Sequence, residues 1–414
     1  MRRFIYIIAA CLAASSISAC SDKTRDPLSP TRSDMIVPIG PYPKIDPYAN
    51  NFVEINSGWW HTCARTKAGA MYCWGSDGFG ESGGPATVLC GVRQPLGLVA
   101  CIPQPTRVQN SVFSGGSAIS AGGSHTCALS AGAVWCWGSN LWAEVGNGQV
   151  GPYASVTTPT KVSGTDVYAA VGAGGTGTCG ITTAHMLNCW GAVNGSSTPA
   201  MYSISLSWSN NVTLGTSHFC AQNLGGWWGC WGNNDSGQLS ADPTVWPSLQ
   251  GPINNPATNV ATRVREGDSF TCADQPNGTI LCLGKNDVGQ LGTSAFTGTA
   301  TTVVQTVGGG MQLSHVATGT KHACALDVNG AAYCWGDNTE GKLGIGSSGG
   351  FVRDPMPVLG GLTFRDISAG QNHTCAIGTN NGLYCWGAND EGQLGQPSAP
   401  LHGQVTPVQA VAPF

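Results

Sequence analysis

The sequence predicts an all-β protein assembled from seven copies of one disulfide-closed hairpin. Fourteen of the 18 cysteines form seven close pairs: Cys63/Cys73, Cys127/Cys136, Cys179/Cys189, Cys220/Cys230, Cys272/Cys282, Cys324/Cys334 and Cys375/Cys385. Six pairs are ten residues apart and one is nine, and the first members recur about every fifty residues, so the pattern is a repeat. The composition agrees: 60 glycines in 414 residues and only 10% charge suit short strands joined by tight turns, not long amphipathic helices. Turn residues such as Lys67-Ala68-Gly69, Asn277-Gly278 and Asn329-Gly330 lie between paired cysteines, which is a hairpin pattern.

The N-terminus reads as an export signal over residues 1–19, with Arg2 and Arg3 ahead of the apolar run Phe4 to Ala14. Ile17-Ser18-Ala19-Cys20 resembles the bacterial lipobox, and Cys20 is then expected to carry lipid as the first mature residue. Ile8-Ala9-Ala10-Cys11 also fits, but leaves too short an apolar core. Ser21 follows the lipid site where inner-membrane retention uses Asp, which implies sorting to the outer membrane. Residues 20–50 are rich in Pro, Ser and Asp and read as a flexible tether; residues 51–414 carry the repeats.

The hairpin halves align closely. First halves read Gly58-Trp-Trp-His-Thr-Cys, Gly122-Gly-Ser-His-Thr-Cys, Gly319-Thr-Lys-His-Ala-Cys and Gly370-Gln-Asn-His-Thr-Cys; second halves read Tyr72-Cys-Trp-Gly, Trp135-Cys-Trp-Gly, Tyr333-Cys-Trp-Gly and Tyr384-Cys-Trp-Gly. Paired cysteines bond only when they face each other across the strands, with Cα atoms expected about 5.5 Å apart. Nine intervening residues require an odd-numbered turn and eight an even one, so the one-residue deletion in the second repeat preserves the facing pair. Each bridge closes a short loop worth roughly 2–3 kcal/mol in the chain-entropy model. A metal site would need clustered ligands, and neither C-x-x-C nor a matching His pair occurs.

Several repeats continue Asn286-Asp-Val-Gly-Gln-Leu-Gly, Asn338-Thr-Glu-Gly-Lys-Leu-Gly or Asn389-Asp-Glu-Gly-Gln-Leu-Gly. With these segments the repeat resembles that of the regulator of chromosome condensation family, from about residue 51 to the end. The resemblance implies a seven-bladed β-propeller, and seven hairpins match seven blades. Radial repetition leaves few exposed strand edges. Pro407-Val-Gln-Ala-Val resembles segments such as Pro159-Thr-Lys-Val that precede a hairpin, so it is expected to pair into the first blade and close the ring.

Repetition separates residues the blade needs from residues free to serve a partner. His61, His125, His218, His322 and His373 share one place, taken by Gly177 and Phe270 in the other two repeats, which points to hydrogen bonding within the blade. Trp74, Trp137, Trp190, Trp231, Trp335 and Trp386 follow the second cysteine and are expected to pack between blades, with Leu283 in the fifth. The two residues before the histidine place differ in every repeat. In relatives these positions line one face around the central channel. Trp59, Trp60, Ser124, Thr176, Thr216, Ser217, Asp268, Ser269, Lys321, Gln371 and Asn372 are therefore the candidate binding face, mostly small and polar and suited to protein or glycan recognition. Cys90 and Cys101 lie outside the repeat and read as a disulfide-stapled excursion, either a partner-gripping loop or a protease-resistant insertion.

The formal charge is −4, and loss of Arg2 and Arg3 with the signal leaves −6, with no basic face for a nucleic-acid backbone. No nucleophile elbow, phosphate loop or H-E-x-x-H motif occurs. The expectation is a non-catalytic, lipid-anchored monomer without cofactor or metal, binding a protein or envelope component. A glycan-binding lectin or carbohydrate-active enzyme using the unrepeated Trp142, Trp227, Trp228 and Trp246 as stacking platforms is the alternative, with inhibition of a secreted or periplasmic enzyme as a third reading.

Overall fold

The computed structural model describes residues 52–85, 88–93, 97–108, 115–151, 155–193, 195–203, 207–239, 248–254, 260–397 and 403–410. The signal, Cys20, the tether and Trp246 lie outside the described residues. The described strands form seven antiparallel sheets arranged as the blades of a propeller. Blade 1 contains strands Phe52–Ser57, His61–Thr66, Met71–Ser76 and Gly97–Arg107. Blades 2 to 7 are four-stranded sheets in chain order, spanning 116–161, 168–203, 208–254, 263–306, 313–357 and 364–409.

The turn arithmetic of the cysteine spacing holds. In blade 1 Gly69 takes φ +83° and closes the odd-numbered turn Lys67–Gly69, with its N–H donating to Thr66 O. In blade 2 Ser130 pairs with Ala133 across the two-residue turn Ala131–Gly132, whose φ values of 50° and 76° are those of a type I′ turn. Both registers leave the cysteines opposite each other, Cys63↔Cys73 and Cys127↔Cys136. The other five blades repeat this: Cys179↔Cys189, Cys220↔Cys230, Cys272↔Cys282, Cys324↔Cys334 and Cys375↔Cys385 are all direct cross-strand partners.

All seven pairs are disulfide-bonded, but their spacing corrects the expected 5.5 Å. The Cα atoms stand 4.1 Å apart in Cys63–Cys73, Cys127–Cys136, Cys179–Cys189, Cys220–Cys230, Cys324–Cys334 and Cys375–Cys385, and 4.2 Å apart in Cys272–Cys282. The reason is that each pair occupies the narrow, non-hydrogen-bonded type of antiparallel site.

The repeat bridges are fully buried, and each packs against the following blade. Cys63 and Cys73 share a core with Ile119, Ala128 and Trp137 of blade 2. Cys179 and Cys189 lie with Trp208 and Phe219 of blade 4, Cys220 and Cys230 with Val264 of blade 5, and Cys272 and Cys282 with Val316 of blade 6. Cys324 and Cys334 meet Phe364 of blade 7, and Cys375 and Cys385 meet Phe52 and Ile55 of blade 1, so the same packing runs around the ring.

The repeated histidines bind across blades, not within them as the sequence suggested. His61 Nε2 meets Thr126 Oγ1 of blade 2 at 2.8 Å, and His125 meets Thr178, His218 meets Thr271, His322 meets Thr374 and His373 meets Thr62 in the same way. The Thr126 hydroxyl donates to Glu81 O, so its oxygen accepts the proton that His61 carries on Nε2. Glu81 O also accepts from Trp137 Nε1, and Glu144 O accepts from both Thr178 and Trp190. In these blades one carbonyl after the third strand therefore receives two donors from the next blade, and the tryptophans pack between blades as expected.

Ring closure corrects a further expectation. Gln404–Gln409 pairs with the third strand of blade 7, so among the described residues no strand is exchanged with blade 1. Its counterpart Ser155–Lys161 is likewise the outermost strand of the blade before it. Across this seam Arg365 donates to Phe52 O, Ser57 N–H to Ser368 Oγ at 2.8 Å and Trp74 Nε1 to Gln393 O at 2.8 Å. Ala410 and Val408 pack into the Phe52/Tyr72/Trp74 core at this seam.

A candidate binding face at the channel mouth

The first strand of every blade lines a central channel of about 540 Å³. At one end the channel meets Gly58, Gly122, Gly174, Gly215, Gly267, Gly319 and Gly370, which follow the seven first strands. Close approach requires them. A Cβ on Gly122 would stand 2.4 Å from Gly174 O and 2.5 Å from His125 Cε1, and one on Gly370 would stand 2.4 Å from Gly58 O.

Beyond the glycines a belt of hydrogen bonds runs around the mouth. Trp59 N–H donates to Gly122 O and Gly123 O at 3.3 Å, Gly123 N–H to Gly174 O at 2.9 Å, Gly175 N–H to Gly215 O at 2.9 Å and Thr216 N–H to Gly267 O at 3.5 Å. Asp268 N–H donates to Thr320 O at 3.3 Å, Thr320 Oγ1 to Gln371 O at 3.2 Å, and Gln371 N–H to Trp59 O at 3.3 Å, which completes the circle. The second residue of each pair is tied by its carbonyl: Trp60, Ser124, Thr176, Ser217, Ser269, Lys321 and Asn372 all accept from the residue that leaves the third strand of their own blade. Backbone groups hold both rows except for the Thr320 hydroxyl link to Gln371 O, so at the other positions the side chains can differ from blade to blade at little cost to the fold.

The candidate residues thus share one face. Ser217 and Lys321 are exposed, whereas Trp59, Trp60, Ser124, Thr176, Thr216, Asp268, Ser269, Gln371 and Asn372 are half-buried. Trp59 lies over Gly123, where a Cβ would come within 3.0 Å of its ring. Asn372 is engaged internally: its Oδ1 accepts from the buried Lys342 ammonium at 2.7 Å, which also meets Asp337 at 2.6 Å. Burial lowers the Lys342 pKa against the pull of Asp337.

The Cys90/Cys101 excursion is a fifth strand, not a loop. Val88–Arg93 pairs with the outermost strand of blade 1, which continues beyond Ser76 on the side of the mouth. The hairpin leans on blade 7, where a Cβ on Gly91 would come within 2.5 Å of Asp390 O. Of the unrepeated tryptophans, Trp142 is 60% exposed, Trp227 is half-buried against Trp208, and Trp228 is buried with Nε1 donating to Ala261 O. Trp228 is therefore unable to act as a stacking platform.

The sequence reading missed the charge inside the channel. Arg263 and Arg265 alternate on the first strand of blade 5 and line the channel with Arg65, Glu54, Glu266 and Asp366. Arg65 Nε pairs with Glu54 Oε2 at 2.7 Å. Burial pushes Glu266 up to about 7 although Thr213 Oγ1 donates to it at 2.7 Å, and burial also raises Asp366. The alternation Arg263-Val264-Arg265 just before a ring glycine was the available signal.

Models of the regulator of chromosome condensation (RCC1) repeat match residues 52–81, 117–149, 314–342 and 364–393, with a further match over 329–377. The chain carries RCC1 repeats. Its blades 1, 2, 6 and 7 carry these matches, while Gly177 and Phe270 take the histidine place in blades 3 and 5. The chain is 29% identical over 300 residues to the ultraviolet-B receptor UVR8 of Arabidopsis thaliana, across 67% of this chain and 66% of the receptor. It is 28% identical over 338 residues to the human E3 ubiquitin-protein ligase HERC2, across 80% of this chain but only 6% of the ligase. Among solved structures, Prp20p of Saccharomyces cerevisiae superposes with a TM-score of 0.70 at 17% identity over 88% of each chain. Human WBSCR16 superposes with a TM-score of 0.65 at 17% identity over 80% of this chain and 87% of that one. These two share the propeller fold with this RCC1-repeat chain.

Proposed function

We propose that this propeller is a non-catalytic, extracytoplasmic binding protein, anchored by lipid on Cys20, that holds a protein component of the bacterial envelope against its channel mouth. One observation carries the binding reading: the belt and the carbonyl ties hold fourteen mouth positions while no two blades carry the same pair of residues there. A surface whose geometry is independent of its chemistry is a scaffold for recognition. The solved structure of Prp20p is described with its binding to Gsp1p and histones, and another contains Kap60 bound to yeast RCC1, so propellers of this fold take protein partners. The eight disulfides fit an oxidising compartment, which agrees with the export signal.

Mass spectrometry of the mature N-terminus tests the anchor. Diacyl- or triacylglyceryl Cys20 is expected, and an unmodified terminus at Ala19 or Ser21 would rule the anchor out. Glycan-array binding lost on Trp59→Ala or Trp60→Ala, without any protein partner, would transfer the face to the lectin reading.

A further inference from the structure

The seam between blades 3 and 4 lacks both halves of the His–Thr contact. Gly177 stands in the histidine place and Phe219 in the threonine place of the next blade. Blade 3 also lacks the G-Q-L-G segment: its third strand ends at Gly191 and its outermost strand begins at Ser196. The loop that in blades 1 and 2 supplies the doubly bonded carbonyl is missing.

Loss of the pair does not by itself open a space. The seam between blades 5 and 6 has Phe270 and Ala323 in the same places, and there the Phe270 ring is fully buried. At the 3–4 seam the replacement is glycine: the Val193 side chain packs onto Gly177 where a Cβ would stand, and a cavity of about 340 Å³ lies beside it. Val193, Leu214 and Phe219 supply the apolar part of its lining, and Thr176, Thr216 and Asn233 supply hydroxyl and amide groups. Phe219 stacks on Trp231, ring centroids 5.0 Å apart, so that part of the lining is braced. Among the described residues no Asp, Glu, Lys or Arg lines the cavity. Its one titratable group there, His218, has its Nε2 committed to Thr271 and is held neutral because burial pushes its pKa down to about 3.

We propose that this cavity receives one uncharged, apolar side chain from a loop of the bound protein, anchoring it between blades 3 and 4; this rests on reading the channel mouth as the protein-binding face. Leu214, Gly215 and Thr216 line both the mouth and the cavity, so a partner seated on the mouth reaches it without crossing another surface. The charge-free lining excludes ionised side chains, whose desolvation nothing there would offset. Buried, well-packed anchors of this kind carry most of the affinity in protein interfaces.

Saturation-transfer NMR on the intact protein tests it, with N-acetyl-phenylalaninamide and N-acetyl-leucinamide as neutral probes and the N-acetyl amides of glutamate and lysine as charged ones. The neutral probes are expected to bind weakly, on the order of 1 mM, and the charged ones not to bind. Val193→Trp fills the cavity from its apolar lining, and Ala192→Trp covers it from its exposed margin. Either is expected to lower the neutral signal about tenfold or more, and the second stands if the first fails to fold. Absent transfer, equal transfer from charged probes, or retention in both folded variants would overturn the proposal. If the amides fail while a protein still crosslinks to the mouth, the anchor falls alone; if they bind and no protein crosslinks, the binding-face reading falls instead.

Discussion

His61 Nε2 stands 2.8 Å from Thr126 Oγ1 across the seam between blades 1 and 2. The contact recurs at five of the seven seams, and at the other two both partners are replaced together, Gly177 with Phe219 and Phe270 with Ala323. A buried hydrogen bond explains the coupling, since losing one partner strands the other while losing both is nearly neutral.

Thr126→Ala is accordingly expected to cost about 1–3 kcal/mol, because it leaves a buried imidazole N–H without its acceptor. His125→Phe with Thr178→Ala, which copies the 5–6 seam, is expected to cost less than either single change. Chemical denaturation of the four proteins gives the coupling energy, and strict additivity would refute the lock.

Acid sensitivity follows from the same residues. Burial pushes the pKa of His125 and His373 down to about 3, far below the ordinary imidazole value. Between about pH 3 and 6.5 the unfolded chain binds a proton that the folded chain refuses, so each histidine's stabilisation falls as pH drops through that window and is constant above it. Glu266, raised by burial to about 7, acts oppositely and loses stabilisation as pH rises from about 4 to 7. The paired Phe/Ala variant should therefore show a shallower loss of stability than wild type between pH 6.5 and 4, by up to ~1.4 kcal/mol per pH unit. Parallel stability curves would exclude His125 as a contributor.

The mouth glycines are required by contact distance. Gly122→Ala places a methyl 2.4 Å from Gly174 O and is expected to destabilise by ~2–4 kcal/mol. Gly151→Ala, where nothing lies within 4 Å of the added Cβ, is expected to be neutral in the same thermal melt.

The repeat disulfides should resist reductant in the folded state. All fourteen cysteines, from Cys63 and Cys73 through Cys375 and Cys385, are completely buried, so alkylation after mild reduction is expected only once the chain is unfolded by denaturant. Rapid labelling of the native protein would contradict the burial. Replacing Cys90 and Cys101 by serine frees the fifth strand and should cost roughly 2–3 kcal/mol on the entropic estimate. Because that strand rests on Asp390 of blade 7, limited proteolysis should then open the 1–7 seam first.

Much of this fold was legible because cysteine pairs report strand register directly, and an even turn at Ala131–Gly132 or an odd one at Lys67–Gly69 preserves it. The spacing of those pairs was not legible, because sequence separation alone does not say whether Cys189 or Cys230 meets its partner at a wide or a narrow site. The candidate face was legible because its two rows stand out against an otherwise uniform repeat. The inter-blade role of the histidines was hidden, since His61 and Thr126 are 65 residues apart and each also sits beside plausible partners in its own hairpin. The signal was present in the paired loss of Gly177 with Phe219. The C-terminal strand was misassigned because Pro159-Thr-Lys-Val lies between two hairpins and its sequence alone does not say which one it joins. Charge in the channel was obscured because Arg263 and Arg265 occur in one blade only.

Site-resolved photo-crosslinking in the living cell tests the central claim, that the channel mouth holds a protein partner. A photoreactive residue at Trp60, Thr176 or Ser217 is expected to trap the same envelope protein, while one at Val328 or Asn329, in an exposed turn at the opposite end of the strands, traps none. Equal crosslinking from both ends, or none from the mouth, would contradict the account.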